Sequence, residues 1–213
     1  MNVEQYTPFT DPVFKIEDET LLALNDKLVI DIKNWRLESE GVNKSNSHGA
    51  WHSTYDLQRR PQQSFKQFWE RIVYIVGELV KKINPEFDLK NYAAVSQAWA
   101  NVSPKHSFNA PHRHPGFTLS GVYYVAIPEE INTKNKEGVI QFTDISCRQM
   151  ISAKELFKPF GATSFGVMPK PGRLLLFPSD LLHWVTPHSS EHDRISIAFN
   201  IGFRSHEEVN SFK

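Results

Sequence analysis

The stretch PHRHPGFTLSGVYYVAI, residues 111–127, places two histidines one residue apart directly before a run of strand composition. Side chains at i and i+2 of extended backbone point the same way. His112 and His114 are therefore aimed at one spot. The run behind them, LSGVYYVAI, is rich in β-branched and aromatic residues and is bounded by Pro115–Gly116 and Pro128, which reads as a buried strand. Outward from it, the same texture recurs in YAAVSQAWANVS (92–103), EGVIQFTD (137–144), GRLLLFP (172–178) and RISIAFNIGF (194–203). Pro, Gly and polar residues separate these runs, and PKPG at 169–172 is a strong turn signal. Strands that succeed one another without helices between them point to an antiparallel barrel or jelly roll rather than an α/β sheet.

The N-terminal part is mixed. PVFKI (12–16) reads as a short strand, and Leu21, Leu22, Leu24, Leu28, Ile30 and Ile32 form an imperfect helical stripe. Residues 41–60 turn polar and read as a loop, in which the i,i+4 spacing of His48 and His52 would suit a metal site only on a helix that Gly, Ser and Asn disfavour. From Pro61, PQQSFKQFWERIVYIVGELVKKIN keeps a 3.6-residue apolar stripe, with Pro in the first turn and Lys81–Lys82 in the last. The expected organisation is one domain over 1–213. A mixed helical support region (1–90) packs against an all-β, cupin-like core (91–213), which is α+β overall.

The bulk composition removes several function classes. Lys+Arg and Asp+Glu both number 24, for a formal net charge of zero; a nucleic-acid binder relies on neutralising phosphates, so none is expected as partner. Cys147 is the single cysteine, which excludes an internal disulfide framework and a Cys-rich zinc site and suits a cytoplasmic location. MNVEQYTPFTDP has neither a basic n-region nor an apolar stretch, and no apolar run nears the ~20 residues that span a bilayer. Neither a signal peptide nor a membrane partner is expected.

The chemistry sits in an ordered series: Trp99 and Asn101, His112 to Pro115, Ser120 to Val125, FPSDLLHWVTP (177–187) with His183, and RISIAFN (194–200) opened by Arg194. In this order and spacing the chain resembles the Fe(II)/2-oxoglutarate-dependent dioxygenases, over roughly its C-terminal half. The resemblance implies a double-stranded β-helix holding Fe(II), with 2-oxoglutarate as cosubstrate and O2 as oxidant. Decarboxylation of 2-oxoglutarate to succinate would be coupled to oxidation, most simply hydroxylation, of a prime substrate. Such sites hold iron on one face and leave the opposite positions open. Carried over, His112 and His183 are the imidazole ligands. His114 stands where the family usually has Asp or Glu, so it is either the third ligand or turns away and yields that role to water or a later carboxylate, Asp144 being the candidate. Arg194 and Ser196 resemble the motif that receives the distal carboxylate of 2-oxoglutarate, for which a guanidinium offers a two-pronged fork. Tyr124 matches a position whose hydroxyl donates to the same carboxylate.

Alternation supports this placement: Arg194, Ser196, Ala198 and Asn200 share one strand face against Ile195, Ile197 and Phe199, and Tyr123 points away from Tyr124. Trp99 and Tyr123 read as core. His106, His188, His192 and His206 read as structural or surface residues. Two rival functions remain: a three-histidine iron dioxygenase that does not use 2-oxoglutarate, and a jelly-roll binding module without turnover. The prime substrate, a small molecule or a peptidyl residue, would be selected by loops at 41–60, 128–138 and 147–168. Oligomeric state is open.

Overall fold

The computed structural model describes residues 11–131, 135–143 and 164–206. A short strand, β1 (Phe14–Glu17), leads into two helices, α1 (Glu19–Leu22) and α2 (Asn25–Glu38). Asp18 caps α1 through its side chain, which accepts from the Leu21 amide at 2.9 Å, and it also receives the guanidinium of Arg71 at 2.6 Å. The helical stripe that begins at Leu21 is thus broken near Leu24. The break lets Asn25 turn inward, where Nδ2 donates to the Val125 carbonyl at 2.7 Å and Oδ1 accepts from the Tyr123 hydroxyl at 2.6 Å.

The 41–60 segment is not simply a loop. It contributes β2 (Ser47–His48), β3 (Trp51–His52) and a 3-10 turn at Leu57–Arg59. The long helix α3 (Gln63–Ile83) follows. Phe65, Phe68, Ile72, Ile75 and Val76 are buried along one side of it, as the 3.6-residue stripe requires. The remaining strands are β4 (Tyr92–Ser103), β5 (Phe108–His112), β6 (Leu119–Ala126), β7 (Ile140–Thr143), β8 (Phe165–Val167), β9 (Arg173–Pro178), β10 (Leu182–Val185) and β11 (Arg194–Ser205).

These strands form two antiparallel sheets, β1-β9-β6-β11-β4-β3 with six strands and β2-β5-β10-β7-β8 with five, the jelly-roll core expected from the strand succession. Three strands from the first 90 residues are woven into them. One core cluster lies between the helices and the larger sheet, joining Leu28, Ile32, Trp35, Phe65 and Phe68 to Tyr123, Ile195, Ile197 and Phe199. The other lies between the sheets and includes Val122, Tyr124, Phe142, Leu175 and Phe177. Strand β6 is therefore buried on both faces, and its alternation sends Tyr123 to the helices and Tyr124 to the interior. Full burial of one such large side chain contributes about 1.5–3 kcal/mol, so the helical layer supports the outer face of the sheet that carries Arg194. Two glycines permit close approach. Gly172 turns at φ +83° with a Leu22 methyl where a Cβ would meet it at 2.8 Å, and Gly121 lies under the Phe199 ring, which leaves no room for a Cβ. No helix of the described residues is long and apolar enough to cross a membrane.

Candidate active site

Two of the histidines meet because β10 pairs with β5 in the register His183↔His112. Directly opposed residues of an antiparallel pair bring their side chains together on one face, and the two ring centroids are 4.3 Å apart. His114 follows β5, held by its amide donating to the Ser179 carbonyl at 2.8 Å. Its ring lies 5.0 Å from that of His112 and 5.2 Å from that of His183. One nitrogen from each ring falls within 4.8 Å of the others, a donor set that could hold one metal ion.

Backbone carbonyls orient two of these rings. Nδ1 of His112 lies 2.7 Å from the Ala110 carbonyl, and Nδ1 of His183 lies 2.8 Å from that of Leu181. Each Nδ1 therefore carries the proton and donates, which leaves the Nε2 lone pair free for a ligand, as metal-binding histidines require. Burial holds the imidazoles neutral. It pushes His183 down to about 3, with His112 beside it adding to the shift. Burial first, then His112 and His52, pushes His114 down to about 4, and burial lowers His112 against the opposing Ala110 hydrogen bond. Neutral imidazole is the form that binds metal. Phe177 and Phe142 flank His183, with centroids at 4.9 and 6.2 Å. Asp144, the alternative third ligand, lies outside the described residues, as do Cys147 and most of the expected loop at 147–168.

The histidines face a cavity of about 270 Å³ that reaches Tyr55, Trp99, Asn101, Arg194, Ser196 and Asn200. Arg194 begins β11 and is 3% exposed. Its guanidinium lies 5.2 Å from the centre of the Tyr124 ring, and its Nη1 reaches the Ser196 hydroxyl only at 3.5 Å. Neither nearby carboxylate pairs with it: Asp193 pairs with Arg36 at 2.9 Å, and Glu191 pairs with Lys105. Arg194 Nε and the Tyr124 hydroxyl are buried without a hydrogen-bond partner among the described residues. Burial raises the Tyr124 phenol above its ordinary range, with Arg194 opposing, and lowers Arg194; the guanidinium nevertheless stays charged. Buried polar atoms are nearly always satisfied, so this pair has the character of a receptor for an anion. Three convergent imidazole nitrogens fit Fe(II), and a buried guanidinium whose Nε has no hydrogen-bond partner among the described residues, facing the Tyr124 phenol, fits a dicarboxylate cosubstrate.

The structure also gives the cavity an aromatic wall of Trp99, His52 and Tyr55 that the sequence reading did not assign to the site. Trp99 is buried but lines the cavity instead of the core, stacked on His52 at 5.4 Å. His52 arrives through the register His52↔Asn101, donates from Nδ1 to the Ser53 carbonyl at 2.6 Å, and is pushed down to about 4 by burial. Tyr55 sits edge-on to both rings, at 5.2 Å from each. His48 parts from His52 and stacks on Phe108 at 4.5 Å. Of the histidines read as structural, His188 is buried with Nε2 3.0 Å from the Ser103 carbonyl.

Residues 97–200 match the family model described as "Putative 2OG-Fe(II) oxygenase". No curated protein matches the chain significantly. Among solved structures, a Pseudomonas putida prolyl-4-hydroxylase aligns over 92% of this chain and 94% of its own at 15% identity and a TM-score of 0.63. A prolyl hydroxylase from Trichoplax adhaerens, in complex with a hypoxia-inducible-factor peptide fragment, aligns over 94% and 86% at 14% identity and 0.61. HygX from Streptomyces hygroscopicus, with nickel and 2-oxoglutarate bound, aligns over 91% and 83% at 13% identity and 0.52. At such identities these likenesses show a common fold. The matched segment, just under half of the chain, carries His112, His114, Tyr124, His183, Arg194 and Ser196, and in it the chain is similar to the 2OG-Fe(II) oxygenases, oxidoreductases that couple decarboxylation of 2-oxoglutarate to oxidation of a second substrate.

Proposed function

We propose that His112, His114 and His183 hold the iron, that Arg194, Ser196 and Tyr124 receive the distal carboxylate of 2-oxoglutarate, and that the reaction is hydroxylation of a small or peptidyl substrate. The observation that carries this reading is the convergence of three imidazole nitrogens within 4.8 Å at a cavity that also holds a buried guanidinium with no carboxylate partner among the described residues. Iron with 2-oxoglutarate and O2 supplies the oxidising power, and the protein's contribution is binding, orientation and electrostatics.

That contribution can be followed residue by residue. His112 and His183 are fixed by their Nδ1 hydrogen bonds, so both offer Nε2 without a rotameric search. His114 in place of a carboxylate leaves the protein donor set neutral, one negative charge poorer than two histidines and an aspartate. Arg194 offers a planar fork to a carboxylate, and a charge-assisted pair of this kind is short and about twice as strong as a neutral one. Tyr124 has its hydroxyl free to donate to the same group, and its raised pKa keeps that proton in place. Phe142, Phe177 and Val122 wall the interior side with apolar surface, which excludes water from the space beside the histidines. The wall of His52, Tyr55 and Trp99 faces the second substrate and presents flat rings that orient it.

The test is metal stoichiometry. Wild-type protein takes up one Fe(II) per chain, whereas His112→Ala and His183→Ala each lose tight binding while retaining the fold by circular dichroism. Undiminished iron uptake in both variants refutes the assignment.

A further inference from the structure

The chain is electrically balanced, with 24 basic and 24 acidic residues, yet its cavity is not. Among the described residues, three cationic side chains line it, Lys44, Arg113 and Arg194, and no Asp or Glu does. Arg194 is deep and faces Tyr124. The other two are nearer the mouth and on different segments. Lys44 belongs to the segment before β2, with Nζ 4.6 Å from the centre of the Tyr55 ring. Tyr55 in turn packs on His52 and Trp99, and Trp99 lies 5.9 Å from His114. Lys44 is thus linked through aromatic contacts to the histidine cluster. Arg113, exposed and between His112 and His114 in sequence, is also among the residues that line the cavity. Neither Lys44 nor Arg113 has a carboxylate partner among the described residues.

One-signed charge in a cleft with low-dielectric walls focuses the field and concentrates ligands of opposite sign. The three histidines add no negative charge to offset it. A dicarboxylate cosubstrate takes up the charge of Arg194 and that of a divalent ion, which leaves the two mouth cations uncompensated. Building on the active-site reading above, we propose that the prime substrate is anionic and brings a carboxylate or similar oxyanion to Lys44 and Arg113 while its reacting carbon lies along the His52–Tyr55–Trp99 wall. The cavity, about 270 Å³, also takes the cosubstrate at its Arg194 end, so the space left for the prime substrate is small. It suits one small acid or one acidic side chain of a peptide.

The experiment uses protein loaded anaerobically with Fe(II) and saturating 2-oxoglutarate, so that acidic probes do not compete at Arg194. The α-amide of N-acetylglutamate, with one carboxylate, is titrated against the α-amide of N-acetylglutamine, with none, by calorimetry. The same two residues are then compared within capped tripeptides, and the arm that binds identifies a free acid or a peptide as the source. The acid is expected to bind at least tenfold more tightly than its amide. That preference should shrink as salt rises from about 0.05 to about 0.5 M and vanish in the Lys44→Gln/Arg113→Gln double variant. Equal affinity for acid and amide, no acidic probe bound at millimolar concentration, or a preference that survives in the double variant overturns the inference. The visible Fe(II)–2-oxoglutarate absorption, recorded in the same samples, separates the two levels. Its absence from wild type refutes the active-site reading, whereas its presence without an acid preference overturns this inference alone.

Discussion

Substitution of Arg194 by Gln moves two measurable quantities in opposite directions. In the absence of cosubstrate the guanidinium is 3% exposed and has no carboxylate partner among the described residues, so it carries a desolvation cost of several kcal/mol. Its contact with the Tyr124 ring at 5.2 Å returns about 0.5–2 kcal/mol of that, and the 3.5 Å approach to Ser196 adds little. Gln, neutral and shorter, is expected to leave stability unchanged or raise it by about 1–2 kcal/mol, roughly 2–8 °C in a chain of this size. With cosubstrate the sign reverses. Two charge-assisted hydrogen bonds contribute about 1.5–3 kcal/mol each and a neutral amide recovers about 1, so the net loss is about 3 kcal/mol, or roughly 150-fold in affinity. At a concentration 100 times the wild-type Kd, 2-oxoglutarate stabilises the wild type by about 2.7 kcal/mol and the variant by only about 0.3. Calorimetric melting with and without 2-oxoglutarate, metal held constant, reads both numbers. A variant that loses more than about 2 kcal/mol without cosubstrate, or that keeps the full cosubstrate shift, refutes the reasoning, because Arg194 would then be a structural cation.

His114→Asp should restore the carboxylate that the family usually has and retain one tightly held Fe(II), whereas His114→Ala should weaken iron by more than the roughly 10–100-fold that loss of a mere orienting partner costs; wild-type iron affinity in His114→Ala means His114 is not a ligand. His52 and His183 are buried with pKa values pushed down to about 4 and about 3, so the unfolded chain, with histidines near 6.5, binds more protons below that pH. Metal-free stability should therefore be flat above about pH 7 and fall below about 6.5 by about 1 kcal/mol per pH unit for each histidine that stays neutral; urea midpoints that do not move between pH 7 and pH 5 contradict this. Asn25→Ala strands the Tyr123 hydroxyl and the Val125 carbonyl, an expected loss of about 2–4 kcal/mol by equilibrium denaturation. The share due to the Tyr123 hydroxyl, about half of that loss, should be recovered in Asn25→Leu/Tyr123→Phe, and a double variant no better than Asn25→Ala shows that the Tyr123 bond is not a cause.

The parts of this molecule legible in sequence are those whose face assignment follows from a period of two. RISIAFN splits cleanly, with Ile195 and Ile197 entering the helix-side core while Arg194, Ser196 and Asn200 line the cavity. Tyr123 and Tyr124 separate in the same way, and YAAVSQAWANVS spans β4 to the residue. Strand β5 escaped because Pro111 lies inside it, and proline argues against a strand unless it is at an edge or bulge. Strand β10 is only four residues long. The helical stripe over Leu21–Ile32 gave no hint of its break, since tertiary hydrogen bonds from Asn25, not local propensity, turn the chain there. His52, Tyr55 and Lys44 were hidden for a different reason. They reach the site from a polar segment through the pairing of β3 with β4, and no local period encodes a pairing made 50 residues away.

The central claim is that three imidazoles and one guanidinium hold Fe(II) and 2-oxoglutarate together. Anaerobic titration of metal-free protein with Fe(II) and then 2-oxoglutarate, followed in the visible spectrum, tests it most directly. The account predicts a weak charge-transfer band that requires both additions, saturates at one iron per chain, and disappears in Arg194→Gln at matched cosubstrate concentration. Iron uptake without the band, or a band undiminished in Arg194→Gln, contradicts it.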